Sequence, residues 1–197
     1  MPVYSDADPN LVAAAKRGDL AAFNALVLEF QDAVYSLTYR LIGEQAAAAD
    51  AAQEAFISAF RRLDSYRDGS FRAWLLKIAA NQCYDEFRRR KRRPTVSFDA
   101  AENDDEVLPI PASDETPEEA AQRAETARAI QRCLMTLPPD QRAVVVLCDV
   151  EGFDYQAAAD QVGAALGTVK SRLSRARAAL RVCLRGALEL SGPHERL

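Results

Sequence analysis

A stretch that cannot build a core divides this chain in two. Between Pro94 and Gln122 lie nine acids and no base, and as far as Thr116 the residues are rich in Pro, Asp, Glu and Ser. Such a composition buries too little apolar surface to offset the entropy lost on ordering the backbone. The 197 residues are therefore expected to fold as two pieces, 1–93 and 117–190. A flexible acidic linker, 94–116, joins them, and a flexible tail, 191–197, follows. Apolar residues make up 49% of the chain, enough to give each piece its own core.

Within both pieces the hydrophobic period is helical, and no alternating run suggests a strand, so the expected fold class is all-α. Asp8 and Pro9 read as a cap and first-turn pair, with Gly18 as the stop. Asp19 can cap a second helix that carries Leu20, Phe23, Leu26, Val27, Phe30, Val34, Leu37 and Leu41 on a broad apolar face and ends at Gly43. A third helix is expected from Gln45 to Leu63, with Phe56, Phe60 and Leu63 on one side. After a turn-rich segment, Ser70 can cap a fourth helix in which Phe71, Trp74, Leu75 and Ile78 follow the i, i+3, i+4, i+7 pattern. It runs into Arg88-Arg-Arg-Lys-Arg-Arg93 and stops at Pro94. In the second piece Thr116-Pro-Glu-Glu119 restarts helix with acids well placed for its dipole. Pro138-Pro139 separates that helix from the next, which ends near Gly152. A helix, a tight turn at Gly163 and a last helix follow.

The net charge of −4 conceals a strong polarity along the chain. Arg61 to Arg93 holds eleven bases against four acids, and Thr168 to Arg185 holds six bases and no acid. A phosphate backbone meets local charge, so two basic blocks around an acidic spacer favour nucleic acid as a partner. No run of about 18 apolar residues suggests a membrane span, and the N-terminus lacks the basic and apolar regions of a signal peptide, so the protein is expected in the cytoplasm. The four cysteines, Cys83, Cys133, Cys148 and Cys183, are scattered without a Cys-x-x-Cys pair, and the single histidine is His194. Reduced, mostly buried thiols are expected, with a redox sensor as the alternative, and neither a metal nor a cofactor. With no histidine placed for acid–base work and no phosphate-binding loop, an enzyme is disfavoured. The linker acids, Asp104 and Asp105 among them, could in principle bind a divalent metal, but they sit in a segment too polar to preorganise a site.

Three stretches carry chemistry. In Gly167-Thr-Val-Lys-Ser-Arg-Leu-Ser-Arg-Ala-Arg177, Thr168 can cap a helix whose Val169, Leu173, Ala176 and Leu180 form a packing stripe. Lys170, Ser171, Arg172, Arg175 and Arg177 fall largely outside that stripe. This suits a recognition helix in the major groove, where arginine reads guanine through paired hydrogen bonds and other bases hold phosphates. A solvated basic face is the plain alternative. The helix from Phe71 mixes aromatics with Arg72, Lys77, Asn81 and Tyr84, a composition able to stack and hydrogen-bond exposed bases. By pattern alone, however, Trp74 reads as a core residue. The run Arg88 to Arg93 fits an anionic partner better than a solvated helix end. Finally, Asp50, Gln53, Glu54 and Ser58 lie on neighbouring turns of an alanine-rich helix, a smooth acidic face able to receive a basic helix or simply to face solvent.

Together these stretches resemble the extracytoplasmic-function sigma factors, over roughly Asn10–Arg93 and Glu118–Leu188. The match rests on Asp50-Ala-Ala-Gln-Glu-Ala-Phe56, on Phe71-Arg-Ala-Trp-Leu-Leu-Lys-Ile-Ala-Ala-Asn81 with Asp85 and the basic run, and on Gly167–Arg177, in that order around an acidic linker. The resemblance implies a subunit that binds core RNA polymerase and directs promoter-specific initiation. Asp50, Gln53, Glu54 and Phe56 would dock on the clamp helices of the largest polymerase subunit. Tyr66, Ser70, Trp74, Lys77, Asn81, Arg88, Arg89 and Arg92 would hold the melted minus-ten strand. Thr168, Lys170, Ser171, Arg172, Ser174 and Arg175 would read the minus-thirty-five duplex. It further implies contact with the polymerase flap region, an anti-sigma factor as partner, and a linker threaded through the polymerase. The chain departs from the family pattern at Ala158 and Gln161, where large aliphatic residues are usual, and at Ala165, where proline is common. A self-sufficient helix-turn-helix regulator, acting without polymerase, is the alternative.

Overall fold

The computed structural model describes residues 6–92 and 116–190. The expected linker, with Asp104 and Asp105, and the expected tail lie outside the described residues, as do the side chains of Arg88 and Arg92. The chain divides into two compact units, 1–93 and 94–197. Among the described residues all regular structure is helical.

Unit 1 holds α1 (Pro9–Lys16), α2 (Leu20–Ile42), α3 (Gln45–Arg61), a 3₁₀ turn (Leu63–Ser65) and α4 (Phe71–Arg92). Its punctuation is local chemistry. The Asp8 carboxylate accepts the Asn10 amide and that of Asp19 accepts the amides of Ala21 and Ala22, while Gly43 closes α2 at φ 85°. Those side chains satisfy amide donors left over at helix starts, and a left-handed residue at a helix end is cheapest as glycine. Helices α2, α3 and α4 pack on one another, and α1 packs on α2. Leu26, Phe30, Val34, Leu37 and Leu41 of α2 and Phe71, Leu75, Leu76 and Ala79 of α4 are buried, with the rings of Phe30 and Phe71 5.6 Å apart.

The third helix differs from the expectation. It buries Ala48, Ala51, Ala52, Ala55 and Ala59, whereas Phe56 is half-buried and Phe60 is 43% exposed. Methyl side chains let α3 approach both neighbours closely, and a ring at those positions would force them apart. The buried Thr38 hydroxyl, 2.9 Å from the Ala48 carbonyl, ties α2 to α3. Leu63 is buried, but in the 3₁₀ turn after α3 has ended.

Unit 2 holds α5 (Pro117–Met135), α6 (Pro139–Val145) running into a π-helical turn (Val146–Val150), α7 (Tyr155–Val162) and α8 (Leu166–Leu190). Thr116 and Glu119 form a reciprocal capping box at the start of α5. That hydrogen bonding lowers the Glu119 carboxyl below its ordinary range. Asp154 caps α7 through the Ala157 amide at 2.7 Å, and Gly163 ends it at φ 62°. Helix α8 packs against α5, α6 and α7, burying Val169, Leu173 and Ala176 among Val144, Leu147 and Ala158. Gln161 is also buried.

Two expectations are corrected here. Thr168 does not cap α8: the helix starts at Leu166, and the amides of Thr168 and Val169 both bond the Ala165 carbonyl. The four cysteines are not all free thiols either. Cys133 of α5 and Cys183 of α8 form a disulfide, while Cys83 and Cys148 are free. The bridged pair stands 50 positions apart in sequence, so the packing of α5 on α8 brings them together.

Candidate nucleic-acid interface

Three surfaces gather the residues singled out in the sequence. The first lies in unit 1, where Tyr66 leaves the 3₁₀ turn and meets the start of α4. Its ring centroid is 5.4 Å from Phe71 and 5.5 Å from Trp74. Phe71 is buried in the core, and Trp74 is only half-buried. Trp74 packs on Tyr66 and Phe71 and keeps part of its surface exposed. The loop below is tightly bonded. The Tyr66 hydroxyl donates to the Gly69 carbonyl at 2.6 Å, and the Ser70 hydroxyl accepts the Ala73 amide at 3.1 Å. Lys16 of α1 donates to the Tyr66 carbonyl and stands 5.2 Å from its ring centroid. Burial, and then the negative charges of Asp6 and Asp68, push the Tyr66 phenol above its ordinary value.

Lys77 and Asn81 continue this surface one and two turns along α4, both exposed. Arg89 is exposed too and pairs with Glu86. An aromatic shelf at a helix start, followed by exposed amide and basic groups, has the parts needed to stack bases and hold phosphates.

The second surface is a groove of about 410 Å³ between α3 and α4. Asp50, Gln53 and Glu54 line it, as expected of one face, but Phe56 does not. The opposite wall, missed from the sequence, is Gln82, Asp85, Glu86 and Arg89 of α4. Their i, i+3, i+4, i+7 spacing marks one helix face. Which neighbour that face borders is set by packing and not by spacing.

The third surface is α8. Lys170, Ser171, Ser174 and Arg175 are exposed, and Thr168 is half-buried. The Ser171 hydroxyl donates to the Thr168 carbonyl at 2.9 Å, and the Arg175 guanidinium lies back on Ser171 at 3.4 Å. Arg172 differs from these: its guanidinium reaches Asp140 of α6 at 2.6 Å, leaving its side chain 24% exposed. Arg177 makes a two-pronged pair with Asp149, at 2.6 and 2.8 Å. Bonds from Asp149 and then Tyr155 hold its pKa above the ordinary arginine value.

Among the described residues no cluster of three His, Cys, Asp or Glu could hold a metal ion. No described helix is long and apolar enough to cross a membrane.

Unit 2 thus ends in a helix, a turn at Gly163 and a helix with an exposed basic face, an arrangement that suits a major groove. Residues 26–93 match the family described as Sigma-70 region 2, and residues 127–180 the family described as Sigma-70, region 4. The chain is 41% identical over 167 residues to the ECF RNA polymerase sigma factor SigE of Mycolicibacterium smegmatis, covering 83% of this chain and 63% of that protein. It is 37% identical over 180 residues to the RNA polymerase sigma-H factor of Pseudomonas aeruginosa, covering 88% and 91%. Its fold is similar to that of the sigma factor RpoE of Bartonella quintana, solved in complex with the anti-sigma factor NepR, with a TM-score of 0.61, 29% identity, and coverage of 83% and 96%. At 38% identity over 178 residues to the ECF RNA polymerase sigma factor SigM of Mycobacterium tuberculosis, covering 90% of this chain and 84% of that protein, the chain belongs to the extracytoplasmic-function sigma factors, which direct RNA polymerase to promoters.

Proposed function

We propose a division of labour among the three surfaces. The α3–α4 groove, with Asp50, Gln53 and Glu54, receives a basic helix pair of the polymerase clamp, and Phe56 borders that contact. Tyr66, Ser70, Trp74, Lys77 and Asn81 hold the melted minus-ten strand, with Arg88, Arg89 and Arg92 on its phosphates. The exposed face of α8 reads the minus-thirty-five duplex, and unit 2 approaches the flap. Residues 1–93 thus bind polymerase and the minus-ten element, 94–116 connect, and 117–190 bind the minus-thirty-five element. The protein works in the cytoplasm as an initiation subunit with no catalytic step of its own.

One observation carries this reading: an acid-free row, Lys170, Ser171, Ser174 and Arg175, stands exposed on α8 directly after the Gly163 turn. Basic and hydroxyl groups at that spacing suit base edges and phosphates of a major groove. The complex of Bartonella RpoE with NepR supports an anti-sigma factor as a further partner. A stand-alone regulator is not favoured, because it leaves unit 1 without a role.

Run-off transcription from a genomic fragment library tests the proposal. Transcripts from discrete start sites are expected only with this protein and core polymerase together. Failure of core polymerase to retain the protein in a pull-down would overturn it.

A further inference from the structure

Arg172 and Arg177 sit five residues apart on α8, on opposite flanks of its buried stripe. With 100° per residue, each is rotated about 70° from the centre of Val169, Leu173 and Ala176. Each is claimed by an acid from a different part of unit 2. Asp140 of α6, 62% exposed, takes Arg172 at 2.6 Å, and Asp149 of the π-helical turn, 31% exposed, takes Arg177 through both carboxylate oxygens. Ser171, Ser174 and Arg175 are exposed on the side away from the stripe, with Lys170 exposed at its edge beside Arg177, and the bonds made by Ser171 and Arg175 run to Thr168 and to each other.

We propose that Arg172 and Arg177 are positioning residues. They clamp the roll of α8 from both sides, and the bases are read by Lys170, Ser171, Ser174 and Arg175. This rests on the reading of α8 as the minus-thirty-five helix, and it removes Arg172 from the set of base readers expected from the sequence. Surface ion pairs add little to stability, but roll is a matter of geometry. The side-chain tips stand about 6 Å from the axis, so a roll of about 20° moves them by about 2 Å. That displacement breaks a hydrogen bond that must fall between 2.7 and about 3.2 Å. An arginine already bonded to a carboxylate also has fewer donors left for guanine, which is bound through two parallel bonds.

The test uses holoenzyme, full chain plus core polymerase, selecting from duplexes randomised through the upstream element and joined to a fixed downstream element. A base reader and a clamp leave different traces in the selected sequences. With Arg172→Ala or Asp140→Ala, enrichment is expected to fall by about tenfold, spread over every position that α8 reads. The double variant should be no worse than either single one, and the exchange Asp140→Arg with Arg172→Asp should restore the profile. Arg177→Ala and Asp149→Ala should behave alike. Collapse at one base position with Arg172→Ala, with no effect of Asp140→Ala, would overturn the clamp and return Arg172 to the readers. Lys170→Ala and Arg175→Ala separate the two layers: if both leave the profile intact, the minus-thirty-five reading itself has failed. Amide hydrogen exchange of the full chain judges the clamp without DNA. Asp140→Ala and Asp149→Ala should speed exchange in α8, and Lys170→Ala should not. Unchanged exchange in both acid variants would also count against the clamp.

Discussion

The rings of Tyr66 and Trp74 lie 5.5 Å apart at 55° to each other, joining the loop before α4 to its first turn. Phe71 completes the group from the buried side, 5.4 Å from each of them. The two α4 aromatics therefore separate by role. Trp74→Ala is expected to keep the fold and to weaken binding of a melted single strand by about 1–3 kcal/mol, the worth of one stacked base. Phe71→Ala should instead cost about 3–5 kcal/mol of stability, as truncation of a buried phenylalanine does. Single-strand affinity and denaturant unfolding, measured on both variants, check the split. Equal loss of stability in the two would place Trp74 in the core alone.

What was legible from the sequence is mostly local. Asp8, Asp19, Asp154 and Gly163 act within four residues of themselves, so their chemistry can be read from neighbours in the chain. The exposed face of α8 followed from the spacing of Val169, Leu173 and Ala176. The groove wall from α4, the alanine face of α3 and the pairing of Arg172 with Asp140 did not. Each depends on which helix faces which, and Asp140 lies 32 residues from its partner. Thr168 was misplaced as a cap because a hydroxyl residue near a helix start satisfies the pattern wherever the backbone ladder begins.

The bridge between Cys133 and Cys183 closes a long loop, its ends 50 positions apart in sequence. Constraining such a loop in the unfolded chain is worth about 4 kcal/mol in the chain-entropy account. Thermal unfolding with and without a strong reductant is expected to show the loss in unit 2 and none in unit 1. Cys133→Ser should lower the oxidised protein to the reduced value and abolish its response to reductant.

The groove between α3 and α4 brings together Asp50, Glu54, Asp85 and Glu86, with Arg89 as its base. A basic partner helix would feel the sum of these charges, so reversal of one exposed acid should weaken docking with little effect on folding. Glu54→Lys is expected to reduce retention on core polymerase by about tenfold or more, more sharply at low salt than at high. Promoter selection by whatever holoenzyme still forms should be unchanged. Competition binding against the wild-type chain at two ionic strengths measures both effects.

Cys83 gives a pH prediction of definite sign. The thiol lies on the buried side of α4 in unit 1, and burial pushes its pKa from 9.0 up to about 12. The unfolded chain releases this proton near pH 9 and the folded chain holds it. Folded protein therefore binds more protons across that window, and stability falls as pH rises. The contribution is intact below pH 9 and is lost progressively towards pH 12, with a shift of this size corresponding to about 4 kcal/mol. Denaturant unfolding of unit 1 at rising pH should show this loss, and Cys83→Ala should remove it while leaving the neutral-pH fold in place. In the native protein at neutral pH, iodoacetamide should label Cys148, which is only half-buried, and spare Cys83.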